Sequence, residues 1–217
     1  MTKTKLPSTE RVVSYTNPST GYWVIPSEKQ IWHLAGTLNP SMTQDELAKY
    51  SSQEGFHALS VPDHFELFQA MYDLRNNGGE IEKARRFVKG SMRNNFLNTL
   101  TRLQYASKGK DKIIHNYKTS SERKLKTGLV GADGLVKDVL SLEVSLALTG
   151  KKPEEIEEIL SYINKTPAYI WRVNSKPSET DERVAWFDAG SDGAGLYCVR
   201  YPSYRDGSLG VREARIQ

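Results

Sequence analysis

Hydrophobic and polar positions along this chain alternate in two different rhythms. From Ser60 the rhythm is helical. Ser60 is placed to cap a helix, Pro62 fits its first turn, and Asp63 suits the positive end of the dipole. Phe65, Phe68, Met71 and Tyr72 follow at three- and four-residue spacing, and Asn76-Asn77-Gly78-Gly79 stops the run. A second periodic stretch, 82–106, aligns Phe96, Leu100 and Leu103 and predicts another helix. Asp138 is placed to cap a helix built on Val139, Leu140, Leu142, Val144 and Leu146, with Gly150 as its end. Pro153-Glu154-Glu155 opens one whose buried stripe is Ile156, Ile159, Leu160 and Ile163. Thr43 and Glu46 have capping-box spacing ahead of a short helix through Tyr50.

The second rhythm has period two. Residues 11–15 and 22–25 read as strands around the turn cluster Asn17-Pro18-Ser19-Thr20-Gly21, and 112–117 as a short strand. From Tyr169 onward the pattern is all strand: 169–173, 183–188, 196–201 and 208–214. In the third of these, Tyr197, Val199 and Tyr201 share one face, with Leu196 and Cys198 on the other. A helix-rich body followed by a β-rich end predicts an α+β fold. With no repeat or low-complexity linker, it is expected to be one domain over 1–217.

Composition narrows the possible functions. At 217 residues and 38% hydrophobic the chain can bury a core without staples. Its single cysteine, Cys198, excludes an intrachain disulfide and reads as a small buried hydrophobe. Met1 is followed by Thr-Lys-Thr-Lys, with no apolar signal region, and no run approaches the roughly 18 apolar residues of a membrane span. The expected location is cytoplasmic, or on a virion or cell surface through a partner. The net charge of +4 is uneven: segment 83–126 carries thirteen Lys or Arg against Asp111 and Glu122, so +11, leaving −7 for the rest. Such a segment predicts contact with nucleic acid or an acidic partner, with Tyr105 and Tyr117 stacking on bases, or else a solvated basic helix and loop.

Enzymatic signatures are missing from the sequence. His33, His57, His64 and His115 are dispersed and lack metal-ligand spacing; each reads as a surface or hydrogen-bonded structural histidine. There is no nucleophile elbow, phosphate loop or dinucleotide fingerprint. Asp188, Asp192 and Asp206 lack the density of a calcium loop and read as solvated turn carboxylates. Gly190-Ser191-Asp192-Gly193-Ala194-Gly195 reads as a turn whose glycines supply positive φ. No cofactor or metal is expected. What stands out is the Tyr, Gly and Ser content of 183–215, the composition of recognition surfaces.

The C-terminal segment resembles the variable region of diversity-generating-retroelement proteins with a C-type lectin fold, especially archaeal and phage-associated members. The matching residues are Tyr169-Ile170-Trp171-Arg172-Val173-Asn174-Ser175, Arg183-Val184-Ala185, Ala194-Gly195-Leu196 and Ser208-Leu209-Gly210-Val211-Arg212. Phe56-His57-Ala58-Leu59-Ser60-Val61-Pro62 with the following helix, and Ile113-Ile114-His115-Asn116-Tyr117, are similar to such chains as well. The resemblance implies helices packed on a small antiparallel sheet, a basic helical insert at about 80–127, and a variable ligand-binding subregion at about 172–217. In that family adenines of a template are rewritten, so that an AAC codon yields Tyr, Asp, Gly, Ser, Val or Thr. Those types stand at Asp188, Gly190, Asp192, Gly193, Tyr197, Val199, Tyr201, Tyr204 and Asp206. Trp186 joins them through AAG rather than AAC. The implied function is non-enzymatic binding of a protein or glycan target. Formylglycine-generating enzymes share the fold and an ending similar to Leu209-Gly210-Val211-Arg212. Their chemistry uses two cysteines, and this chain has one.

Overall fold

The computed structural model describes residues 14–16, 21–118, 121–191 and 193–215. Among them the chain is a mixed α+β fold of two sheets and six helices. Strands β1 (Ser14–Thr16), β2 (Tyr22–Pro26) and β3 (Gln30–Met42) form an antiparallel meander. Of the first expected strand and turn, 11–13 and 17–20 lie outside the described residues. From the far end of the sequence β11 (Asp206–Arg215) returns to pair along β3, with Leu209 opposite Leu38 and Val211 opposite Leu34.

The second sheet has seven strands. In spatial order they are β6 (Ser121–Lys124), β5 (Lys112–His115), β4 (Leu97–Tyr105), β9 (Asp181–Ala189), β10 (Ala194–Arg200), β8 (Ala168–Trp171) and β7 (Gly134–Leu135). The expected small antiparallel sheet is thus corrected to a larger, mixed one. Strand β10 folds back from its hairpin with β9 and runs parallel to β8 on its other side.

The basic segment is the main correction. Its helix, α3 (Gly79–Asn95), ends where Phe96 takes a left-handed φ of 49°, and the chain leaves as β4. Leu97, Leu103 and Tyr105 are buried, while Thr99 and Thr101 lie inside the strand. Pairing of β4 with both β9 and β5 overrides the helical spacing of Phe96, Leu100 and Leu103. Region 80–127 is therefore one helix and three strands of the main sheet, not a helical insert.

Helix α1 (Gln44–Leu47) carries the expected capping box between Thr43 and Glu46. At α2 (Val61–Asp73) Ser60 occupies the N-cap position, but its hydroxyl donates to Asp63 and caps no helix N–H. The Val61 N–H donates instead to Thr101 Oγ1 of β4 at 2.9 Å, which ties the helix start to the sheet. The single helix expected after Asp138 is two. Leu140 is extended between α4 (Val136–Val139), which contains Asp138, and α5 (Leu142–Thr149), which is capped by Ser141 and ended by left-handed Gly150. Helix α6 (Pro153–Asn164) buries Ile156, Ile159, Leu160 and Ile163 as its spacing predicts.

The core is contiguous from β2 and β3 through the helices to the large sheet. At its centre Phe187 of β9, fully buried, meets Phe65 at 5.7 Å, Phe68 at 5.6 Å and His64 at 5.1 Å between ring centroids. His64 donates from Nδ1 to the Ser60 carbonyl at 2.8 Å, and burial pushes its pKa down to about 4. His115 joins β5 to Thr101 at 3.0 Å and to the Ala147 carbonyl at 2.8 Å, and burial lowers its pKa too.

Both pKa values are lowered by burial in the folded chain, so the unfolded chain binds more protons between the folded and unfolded pKa values. Stability is then fully present above the ordinary histidine range and is lost as pH falls toward about 4. From about pH 7 to about pH 5, His64 alone removes about 2 kcal/mol of unfolding free energy, with His115 adding in the same direction. Urea titrations across that range measure the slope, and His64→Asn, which keeps a donor near Ser60, is expected to flatten it.

Candidate functional site

The outer face of β8, β10 and β9 follows from strict alternation. Ala168, Ile170, Leu196, Cys198, Ala185 and Phe187 point into the core. Their neighbours Tyr169, Trp171, Tyr197, Trp186 and Asp188 therefore point out. Register places Tyr197 opposite both Trp171 and Trp186, and Gly195 opposite both Tyr169 and Asp188. The result is a continuous aromatic strip. Trp171 and Tyr197 stack at 3.9 Å with planes 5° apart, Tyr169 lies 5.5 Å from Trp171, and Trp186 lies 4.9 Å from Tyr197.

Two glycines make the strip possible. A Cβ on Gly195 would lie 2.0 Å from the Trp171 ring, and one on Gly193 would lie 2.7 Å from the Tyr169 ring. Gly195 does not adopt positive φ, so the expected conformational role is corrected: the missing side chain is floor space for a ring. The turn itself is as expected, closed by the Gly190 N–H donating to the Gly193 carbonyl at 2.8 Å.

A register shift in β10 between Tyr197 and Arg200 returns Arg200 to the outer face, opposite Val184. Its guanidinium lies 4.8 Å from the Trp186 ring centre and 4.4 Å from that of Tyr204. It also makes a bidentate pair with Asp206, at 2.8 and 2.7 Å. Phe96, exposed and left-handed, closes the strip against Trp186 at 4.7 Å. Such a conformation in a bulky residue is strained, and strain of this kind concentrates at functional sites.

Of the sequence-derived positions, Trp186, Asp188 and Tyr197 come together in the strip. Burial, then the neighbouring Asp188 carboxylate, pushes the Tyr197 pKa up to about 12, so its hydroxyl stays a donor. Val199 is half-buried further along β10, and Gly190 is exposed in the turn. Tyr201 and Tyr204 lie beyond the strand, 5.7 Å apart and both about half exposed. Arg183 stacks 3.7 Å from the Tyr201 ring centre. Asp206 is corrected from solvated turn to buried strand residue, because Arg200 neutralises it. Gly193 lies beneath Tyr169, and Asp192 lies outside the described residues.

Sequence reasoning missed Phe96, Tyr169, Trp171, Arg183 and Arg200 as members. Tyr169 and Trp171 carried a usable signal, being aromatic at i and i+2 of a strand; Phe96 was hidden by its helical spacing. Cys198 is buried as expected, its pKa raised to about 12 by desolvation. On the basic side, Tyr105 is fully buried and its hydroxyl donates to the Cys198 carbonyl, so its expected stacking on bases is corrected. Tyr117 is covered by Arg102 at 3.8 Å. Comparison with protein-family models, curated proteins and solved structures finds no match to this chain.

Because the strip depends on the clearance above Gly195, Gly195→Ala is expected to separate Trp171 from Tyr197. The expected cost is about 1–3 kcal/mol of stability. Near-ultraviolet circular dichroism should lose its tryptophan bands while the far-ultraviolet spectrum is kept.

Proposed function

We propose that this chain is a non-enzymatic binding protein of the diversity-generating-retroelement type, with a C-type lectin-like arrangement that presents the aromatic strip to a protein or glycan target. The observation that carries the reading is the interleaving on β9 and β10. The candidates Trp186, Asp188 and Tyr197 stand on the outer face of these strands, and Ala185, Phe187, Leu196 and Cys198 between them are core, while the candidates Gly193 and Asp206 are enclosed. Trp186 and Tyr197 alternate with Phe187 and Leu196, so outward side chains can change while the buried set stays constant.

The chemistry of the face suits recognition. The half-buried rings of Tyr169, Trp171 and Tyr197 and the exposed ring of Phe96 supply contact area at low entropy cost. Trp186 is 7% exposed and its indole N–H is buried without a protein partner, beside the rings of Phe96 and Tyr197. Tyr201 and Tyr204 extend the contact area at the edge, with Arg200 against both the Tyr204 and Trp186 rings and Arg183 against Tyr201.

The genomic test is a near-copy of codons 172–217 close to the gene. Differences confined to adenines, falling on codons 188, 190, 192, 193, 197, 199, 201, 204 and 206, are expected; scattered differences without base bias, or no copy, would overturn the reading. A protein-level test needs no ligand. A library randomised at 188, 197, 199, 201 and 204 should retain mostly cooperative melting, whereas one randomised at 185, 187, 196 and 198 should not. Equal losses in the two libraries would count against a tolerant face. Within the first group, Tyr201→Ala with Tyr204→Ala should move the melting temperature least.

A further inference from the structure

Five cations of the basic segment are ion-paired with carboxylates within the fold. Arg85 and Arg86 pair with Glu82, Lys83 with Glu80, Arg102 with Glu182, and Lys118 with Asp45. Four lysines behave differently. Lys108, Lys110, Lys112 and Lys124 line a cavity of about 400 Å³ whose remaining wall is Gln104, Ala106 and Thr180. That volume lies within the range of small-molecule sites. Lys112 and Lys124 are direct cross-strand partners on β5 and β6, an arrangement that costs energy for like charges. Glu122 reaches both, at 3.2 and 3.9 Å, and is the one carboxylate that does so among the described residues. Lys108 and Lys110, exposed on either side of left-handed Gly109, form no ion pair among the described residues.

The turn that holds them is built rather than loose. Asp111 is buried, and its carboxylate accepts from the Ala106 N–H at 2.7 Å and the Leu129 N–H at 2.6 Å. The acidic residue of the turn is thus directed inward, leaving the lysines to face the cavity without it. Among the described residues no aromatic ring lines this space, which therefore lacks a stacking platform for a base. Lysine ammonium groups bind phosphate as point charges, and several around one concavity match a compact, multiply charged anion.

We propose that this cavity binds a short phosphate chain, either free or as the tail of a nucleoside triphosphate. The site is separate from the aromatic strip and does not rest on the reading given for it. The test is calorimetric titration of the full chain at about 50 mM salt with inorganic tripolyphosphate, a nucleoside triphosphate, sulfate and a single-stranded oligonucleotide. Saturable binding of tripolyphosphate, well above that of sulfate, is expected. Lys108→Gln with Lys110→Gln should weaken it by about tenfold or more, and Glu122→Gln, which frees Lys112 and Lys124, should strengthen it. Lys49→Gln with Lys137→Gln, both exposed and outside the cavity, should leave it unchanged. Equal affinity for the two triphosphates would identify the free chain as ligand, and tighter binding of the nucleoside form would identify the nucleotide; both support the proposal. It is overturned by absence of binding, by sulfate binding equally well, by indifference to the Lys108 and Lys110 changes, or by an oligonucleotide binding more tightly than either triphosphate.

Discussion

The packing of Phe187 against α2 is the contact on which the rest of the molecule depends. A ring buried among Phe65, Phe68 and His64 fixes which face of β9 is inside. Strands admit only two faces, so this choice also fixes Trp186 as outward and, through register, Tyr197 and Trp171 with it. A slip of one residue would put Trp186 and Asp188 into the core and Phe187 into water. The hydrophobic cost of such a slip protects the register far better than the hydrogen bonds of the ladder do.

Charge is arranged to support the same geometry. Arg102, buried in β4, joins Gln44 at 2.6 Å, Glu182 at 2.8 Å and Asp45 at 3.3 Å, so that one guanidinium ties α1, β4 and β9 together. Arg85 plays a similar part for α3, meeting Glu82 and donating to the Ile163 carbonyl of α6 at 2.6 Å. The guanidinium lowers the Glu82 pKa to about 2, the side-chain hydrogen bond being the largest cause. In the sequence these residues look like a surplus of positive charge. In the fold, Arg102 meets carboxylates from distant parts of the chain, and Arg85 meets Glu82 one turn away on its own helix.

Local sequence chemistry was most legible where it acts locally. Thr43 and Glu46, Pro62, Gly150 and the stripe from Ile156 to Ile163 mark elements that form where they predict. The outer face of β10 was legible through alternation, since Leu196 and Cys198 are apolar and Tyr197 is not. The failures share one cause, which is long-range pairing. Phe96, Leu100 and Leu103 have helical spacing, and nothing nearby in sequence reveals that β9, some eighty positions later, pairs with this segment. Arg200 was missed because a register shift changes the face of a residue without changing its identity. Gly195 was read as a conformational joint, when what matters is the volume a ring takes above it.

Closure of the smaller sheet links the two ends of the described chain. Asn39 donates to Ser208 across 169 positions, and β11, which completes β3, begins just after the turn carrying Tyr201 and Tyr204. A strand lacking its neighbour is a template for aggregation. A substitution in the segment before β11 that prevents it from reaching β3 therefore leaves a thirteen-residue edge unpaired. Such a chain would be removed by clumping or proteolysis. The architecture thereby sorts substitutions in that segment by whether they still let the two ends of the described chain meet.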